Sequence, residues 1–365
     1  MIPIIETQIS AVLRQFVLEE ADAQISAPQE ITIGHINRTY LLEARGQQTR
    51  RYILQRVNTV VFTKPVELME NLVGVTDYIS ARGGRTLTVY PARDGKPYYI
   101  DGEGGFWRCH NYVENSHSLD AANGPDDAYR AAKAFGEFQL MLDGYPIGEL
   151  HETIPNFHNT QKRYEALEKA IDANLANRLN DASIEIDFAR ARKASCAKLL
   201  PLVEAGNIPL RVTHNDTKLN NVLFDNDTHE ALCVVDLDTI MPGLSLYDFG
   251  DSLRFLGNTA KEDERDLTKV QFSMPLFEAY AKGYLEACRA ALTPDEIKML
   301  PFSVILMTYE CGMRFLTDYL NGDTYFRVHL PDDNLARCRT QFKLIEHIER
   351  LLPEMEAFVQ RLAGN

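Results

Sequence analysis

The chain has no CxxC pair, no stretch approaching 18 consecutive apolar residues and no run of five basic residues. The first absence argues against a zinc ribbon or a thioredoxin-type redox site. The second argues against a transmembrane helix. The third matters more because 38 basic residues face 52 acidic ones, for a net charge of −14. Such a chain repels nucleic acid and anionic membrane, so neither is an expected partner. Six cysteines (Cys109, Cys196, Cys233, Cys288, Cys311 and Cys338) are scattered, several in apolar strings such as Leu-Cys-Val-Val around Cys233. They read as small buried hydrophobes in a reducing cytoplasm. The opening MIPIIETQISAVLRQF has neither a basic n-region nor an apolar h-region and does not read as a signal peptide.

What is present describes a globular chain. There are 365 residues, 45% hydrophobic and 25% charged, enough for two lobes with a sizeable core. Ile5, Ile9, Val12, Leu13, Phe16 and Val17 recur with helical spacing. Short β-type runs follow at Ile31-Thr-Ile, Thr39-Tyr-Leu-Leu and Tyr52-Ile-Leu. Pro65 opens a helix to about Ser80, and Thr86–Tyr90 and Phe106–Val113 are further strand candidates. Beyond Asn115 the periodicity is helical over 128–142, 160–174, 184–204, 267–291, 304–320 and 334–352, with one β-type island at 211–238. The expected fold class is α+β: a small antiparallel sheet with one long helix over residues 1–114, then a mostly helical lobe over 115–365.

The island carries the chemistry. It reads RVTHNDTKLNNVLFDNDTHEALCVVDLDT. Phosphoryl transfer needs a carboxylate near the attacking hydroxyl, oxygen ligands for a metal and a cation near the γ-phosphate. His214, Asp216, Lys218 and Asn221 fall within eight residues, and a strand–turn–strand then delivers Asp236 and Asp238. Magnesium takes hard oxygen ligands of this kind. The order matches the kinase loop H-x-D-x-x-x-x-N followed by a metal aspartate. Asp248-Phe249-Gly250 spells another kinase motif, but it lies 32 residues after Asp216 and follows a loop with Pro242 and Gly243. Asp248 is expected to cap the next helix or anchor the catalytic loop, with metal binding as the rival role.

At these residues the chain resembles the aminoglycoside phosphotransferase and choline kinase superfamily, with its bilobal protein-kinase-like fold. IGHINRTYLLE at 33–43, YILQRVN at 52–58, VELMENLVGVT at 66–76, IPNFHNT at 154–160, HNDTKLNN at 214–221, VVDLDTIMPGLSLYDFGDSLRF at 234–255 and RFLTDYLNGDTYF at 314–326 resemble bacterial N-acetylhexosamine 1-kinases. The resemblance implies that Asp216 orients or deprotonates the sugar hydroxyl. It implies that Asn221 and Asp236 bind Mg2+, that Asp238 assists them, and that Arg314 and Tyr325 contact the sugar.

The chain departs from the protein-kinase pattern in its first lobe. It has no G-x-G-x-x-G, so the turn Gly34-His35-Ile36-Asn37 is the candidate phosphate cover, an ordinary hairpin turn being the alternative. The strand cation is Gln55 or Arg56 where a lysine is expected, Arg56 being preferred for its phosphate-pairing fork. Glu70, with Glu67 as rival, should hold that cation. ATP should place its adenine at the backbone of Tyr112, Val113 and Asn115. Lys218 is placed for γ-phosphate charge, and His214 should be structural. His158 should cap the helix that starts beside it rather than touch substrate, and Trp107 should be core.

The reading is an ATP- and Mg2+-dependent N-acetylhexosamine 1-kinase, cytoplasmic, a monomer or weak homodimer. Its rivals are an aminoglycoside, choline or other amino-alcohol kinase, or a catalytically weak nucleotide-binding pseudokinase.

Overall fold

The computed structural model describes residues 2–19, 23–32 and 36–364, with side chains described from residue 8 onward. Gly34 and His35 of the expected phosphate-covering turn lie outside the described residues. The chain divides into two compact units. One comprises residues 1–117, 148–154 and 223–241; the other comprises 118–147, 155–222 and 242–365.

The first unit is built on a seven-stranded antiparallel sheet. Its long strands Arg38–Arg45, Thr49–Arg56 and Phe106–Asn111 lie side by side, with Tyr40 opposite Leu54 and Leu54 opposite Cys109. Side chains alternate across a pleated strand, so Tyr40, Leu42, Ala44, Tyr52, Leu54, Trp107 and Cys109 share one buried face. Ile9, Val12, Leu13 and Phe16 cover that face. Trp107 is therefore core, with its indole N–H donated to Asp101 at 2.6 Å. The helix Pro65–Ala81 buries Leu68, Leu72, Val75 and Ile79, and its Asn71 amide donates to the carbonyls of His151 and Ile240. Two strands are shorter than the sequence pattern suggests: only Val89–Tyr90 pairs from Thr86–Tyr90, and Phe106 pairs only as far as Asn111. The hairpin Val222–Asp225 and Ala231–Val234, edged by Ser116–His117, groups mostly with this unit rather than with the helices around it in sequence.

The second unit is helical, with a core running through Leu167, Phe249, Phe277, Tyr280, Tyr284, Tyr309, Leu316 and Ile345. Proline and capping residues account for most departures from the expected boundaries. The span 184–204 is broken into Ser183–Ala191, a 3₁₀ turn Lys193–Ala197 and Leu200–Glu204, because Pro201 lacks an N–H and fits only a first turn. The span 267–291 shrinks to the α-helix Met274–Cys288, started by Ser273 as N-cap and Pro275 in the first turn. The helix over 304–320 begins earlier, at Pro294, where Thr293 and Glu296 form a capping box, and runs to Asn321. The last helix, Asp333–Gly364, continues through Pro353, because buried Met355 and Val359 keep the segment beyond it on the core.

The helices Pro125–Met141 and Met274–Cys288 cross closely enough to require glycine. A Cβ on Gly283 would lie 2.3 Å from the Tyr129 carbonyl oxygen, and one on Gly136 would lie 2.9 Å from that of Tyr284. Backbone cannot yield as a flexible side chain can. Gly283→Ala is expected to cost about 1–3 kcal/mol by overpacking. Gly148→Ala, with nothing within 4 Å of the added methyl, should change stability by no more than about 0.5 kcal/mol. Urea unfolding of the two variants checks the difference.

Candidate active site

The loop expected to be catalytic, 214–221, lies in the helical unit and follows the strand Arg211–Thr213. Its shape is imposed by one buried carboxylate. Asp248, in the first turn of the helix Ser245–Leu256, accepts the backbone N–H of His214 at 2.8 Å and of Asn215 at 2.7 Å. Its own carbonyl accepts the Thr217 hydroxyl at 2.6 Å. Ser252, one turn later, donates to the Thr217 carbonyl at 2.7 Å and receives the Tyr280 hydroxyl at 2.7 Å. Burial pushes the Asp248 carboxyl pKa up, against the pull of His214 and the two N–H groups. The anchoring role expected of Asp248 is the one its contacts serve.

Asn215 takes a left-handed conformation, φ 64°, which asparagine tolerates and which turns the chain sharply into Asp216. His214 is fully buried, edge-on to Phe135 and Phe138, and its Nδ1 accepts the Asp216 N–H at 3.3 Å. Asp216 stays partly exposed and pairs with Lys218 at 2.8 Å. Burial alone would lower the Lys218 ammonium pKa, but Asp216, with Asp251 behind it, outweighs that and raises it. Asn221 donates its amide N–H to the Asp216 carbonyl at 2.8 Å, which turns Oδ1, the atom a metal would use, the other way.

In the sheet-bearing unit a chain of polar contacts crosses the face opposite the apolar core. Thr39 accepts from Gln55 at 3.0 Å, and Gln55 accepts from Arg108 at 2.8 Å. Arg108 is ion-paired with Asp238, and Asp238 also accepts the Asn37 amide at 2.6 Å. Arg108 and Asp238 side chains are each 4% exposed. Asn37 is committed at its other end too, accepting the Asn58 N–H at 2.9 Å.

These contacts give several of the expected site residues partners of their own. Asp238 is the counter-ion of a buried arginine, and Asn37 lies between that carboxylate and Asn58. The two candidates for the strand cation lie on opposite faces of the sheet. Arg56 lies opposite Trp107, with its guanidinium 5.9 Å from the indole, on the apolar face of the sheet. Gln55 lies on the polar face, directly opposite Arg108. Glu70 pairs with His151 at 2.8 Å and Glu67 with Lys64 at 2.9 Å, so neither holds Arg56. Arg108 escapes sequence reasoning because it stands between apolar Trp107 and Cys109 in the strand Phe106–Asn111. The available signal was that an arginine there needs a buried carboxylate partner.

Asp236 follows the return strand, is exposed and takes φ 60°. Among the described residues no group of three or more His, Cys, Asp or Glu gathers as a metal-ligand cluster. Magnesium needs only one or two carboxylates besides phosphate and water, and the exposed Asp236 carboxylate is an oxygen donor of that kind. Tyr112 donates its N–H to the Arg51 carbonyl at 3.1 Å, Val113 accepts the Ser116 hydroxyl at 2.6 Å, and Asn115 holds the Asp225–Asp227 turn through its amide. Val113, Leu87 and Cys233 form a small apolar cluster joined by Leu223, Leu232 and Val235.

Arg314 and Tyr325 come together in the helical unit. The Arg314 guanidinium lies 5.9, 6.0 and 5.5 Å from the rings of Phe157, Tyr325 and Phe326. Asp318, four residues along the same helix, spends its carboxylate elsewhere. It accepts the backbone N–H groups of Thr324, Tyr325 and Phe326 at 2.8–2.9 Å and the Asn334 amide at 2.8 Å. Phe157 and Arg163 were not anticipated here. Arg163 donates to the Phe157 carbonyl at 2.7 Å and has a buried Nε without a partner. Nor is His158 the helix cap: Asn159 caps, accepting the Lys162 N–H at 3.0 Å.

Residues 28–293 match the profile of the phosphotransferase enzyme family, more than half of the chain. The chain belongs to that family. Solved structures agree at the level of the fold. An aminoglycoside phosphotransferase from Alicyclobacillus acidocaldarius superposes with a TM-score of 0.62 at 14% identity, covering 96% of both chains. A choline kinase from Cryptosporidium parvum gives 0.59 at 13% identity, covering 98% of this chain and 99% of its own. An amicoumacin kinase solved with AMP-PNP and Ca2+ gives 0.57 at 14% identity, covering 96% and 93%. The mixed α+β architecture, with an antiparallel sheet first and helices after, is that of these kinases.

The anchoring geometry predicts the effect of one isosteric change. Asp248→Asn leaves one carboxamide oxygen and an NH2 where two oxygens met two N–H groups. Leaving a buried donor unmatched should cost about 1–3 kcal/mol. A lower urea midpoint at an unchanged m-value checks it.

Proposed function

We propose that this phosphotransferase moves the γ-phosphoryl group of ATP to the anomeric hydroxyl of an N-acetylhexosamine, giving the sugar 1-phosphate, with Mg2+. The observation that carries the acceptor is Arg314, set among three aromatic rings with its neighbouring carboxylate turned away. A guanidinium offers five donors to hydroxyl and amide oxygens, and the rings offer apolar faces to a sugar. A quaternary ammonium would need those ring faces for itself. An aminoglycoside or choline would also bring positive charge beside Arg314 and Arg163, close enough that Arg314, after burial, lowers the Arg163 pKa.

In this reading Asp216 orients the acceptor hydroxyl and receives its proton, and Lys218 keeps positive charge beside it. Asn221 and Asp236 are the oxygen ligands for magnesium, which when bound neutralises charge on the phosphates. The apolar cluster around Val113 supports an adenine against Tyr112, Val113 and Asn115. Catalysis then comes from position and charge, with no covalent intermediate. The cytoplasm, where ATP is abundant, is the proposed location.

Asp216→Asn should retain ATP binding by calorimetry while turnover falls about 10²–10⁴-fold, the usual share of a positioned acid–base group. Wild-type turnover would remove the assignment. Arg314→Ala should lower kcat/KM for the acetylated sugar at least ~10-fold, equivalent to a lost buried polar partner at about 1–3 kcal/mol, with KM for ATP little changed. A coupled ATP assay over N-acetylhexosamines, aminoglycosides and choline decides the acceptor class, and preference for a cationic acceptor would overturn this reading.

A further inference from the structure

His158 is buried and outside the catalytic motif, yet it touches the loop that carries Asp216. Its Nδ1 lies 2.8 Å from the Glu310 carboxylate, and its Nε2 lies 3.2 Å from the backbone carbonyl of Asn215. Glu310, on the helix Pro294–Asn321, is 1% exposed, and its other oxygen accepts the Thr160 hydroxyl at 2.8 Å. A carbonyl can only accept, and an ionised carboxylate can only accept. Both ring nitrogens must then carry protons.

We propose that His158 is an imidazolium at neutral pH that fixes the catalytic loop through the Asn215 carbonyl, with Glu310 holding the charge, and that it is thereby a positioning residue for phosphoryl transfer. Asn215 immediately precedes Asp216 and already sits at φ 64°, so its carbonyl direction sets where the Asp216 side chain starts. Phe157, the residue before His158, lies beside Arg314, and Arg314 is one turn beyond Glu310 on the same helix. Acceptor recognition and catalytic-loop geometry are thus joined through two adjacent side chains of one loop and one helical turn.

The surroundings support the charge. From the long helix, Glu310 faces the ring and Arg314 lies near it; from the helix Ser245–Leu256, Asp251 and Asp248 contribute negative charge and the Tyr247 ring packs at 5.4 Å. Burial opposes protonation of His158, but Glu310 and then Asp251 outweigh both burial and Arg314, so its pKa is raised above the usual 6.5. Burial likewise opposes ionisation of Glu310, and His158 outweighs it and lowers that pKa. The sign follows: the loop contact is fully present below the ordinary histidine pKa and is lost as pH rises through the higher folded value.

The inference rests on membership of the phosphotransferase family and not on the choice of acceptor. The test therefore begins with a readout that needs no acceptor. Nitrogen-15 spectra of histidine-labelled protein, with His158 assigned by its disappearance in His158→Gln, should show both ring nitrogens protonated at pH 7. In kinetics with whichever acceptor the panel supports, His158→Gln should lower kcat about 10–100-fold, the scale of a small misplacement of a reacting group, with KM for ATP held. Glu310→Gln should move the alkaline fall of kcat to lower pH. A neutral His158 tautomer at pH 7, with the proton on Glu310, would overturn the proposal, and so would a Glu310→Gln profile superimposable on the wild type.

Discussion

The helical unit depends on a single electrostatic arrangement: the Asp248 carboxylate, withdrawn from water, holds two consecutive amide groups of the catalytic loop. Such groups cannot be left bare inside a protein, and the loop is too short and too bent to satisfy them by regular secondary structure. The carboxylate therefore replaces a missing strand or helix partner. Thr217, Ser252 and Tyr280 extend the same solution, each hydroxyl filling a vacancy left by the one before. The left-handed Asn215, a conformation that asparagine tolerates, is held on both sides by these contacts.

The sheet-bearing unit solves a parallel problem with a cation. Arg108 is buried in the strand Phe106–Asn111, and its charge is balanced by Asp238 and hydrogen-bonded by Gln55. Removing either partner would strand the other in a low-dielectric interior, a much larger penalty than the pair's net worth. The pair and its neighbours from Thr39 to Asn37 tie the strand Arg38–Arg45 to the segment after the hairpin, so the chain around Asp236 leaves from a fixed point.

The fold class was legible, and the loop 214–221 stood out as a motif, because each rests on short-range information. Strand alternation, helical periodicity and the spacing from His214 to Asn221 all lie within a few residues of one another. The roles that escaped depend on partners far along the chain. Choosing Arg56 over Gln55 required the register of three strands, and that register shows a third residue, Arg108, to be the buried cation. Asp238 reads as a metal ligand from its position two residues beyond Asp236, until the arginine opposite is known. His158 reads as a cap because it stands where a helix begins, but Asn159 has the better geometry, and the histidine is claimed by Glu310, 152 residues away. Helix ends depart from the periodicity where proline and capping residues set them, as at Ser273 and Thr293.

The segment bearing Tyr325 has a feature that bears on how such enzymes diversify. Asp318 holds Thr324, Tyr325 and Phe326 by their main-chain amides and takes the Thr324 hydroxyl at 3.4 Å, but asks nothing of the Tyr325 and Phe326 side chains. The shape of this wall is thus inherited separately from its chemistry. Tyr325, 70% exposed, can be exchanged for another residue without unfastening the turn. With the proposed acceptor site at this turn, a lineage could sample new acceptors by drifting at these positions, while the loop proposed to carry Asp216, fastened from other helices, stays as it was.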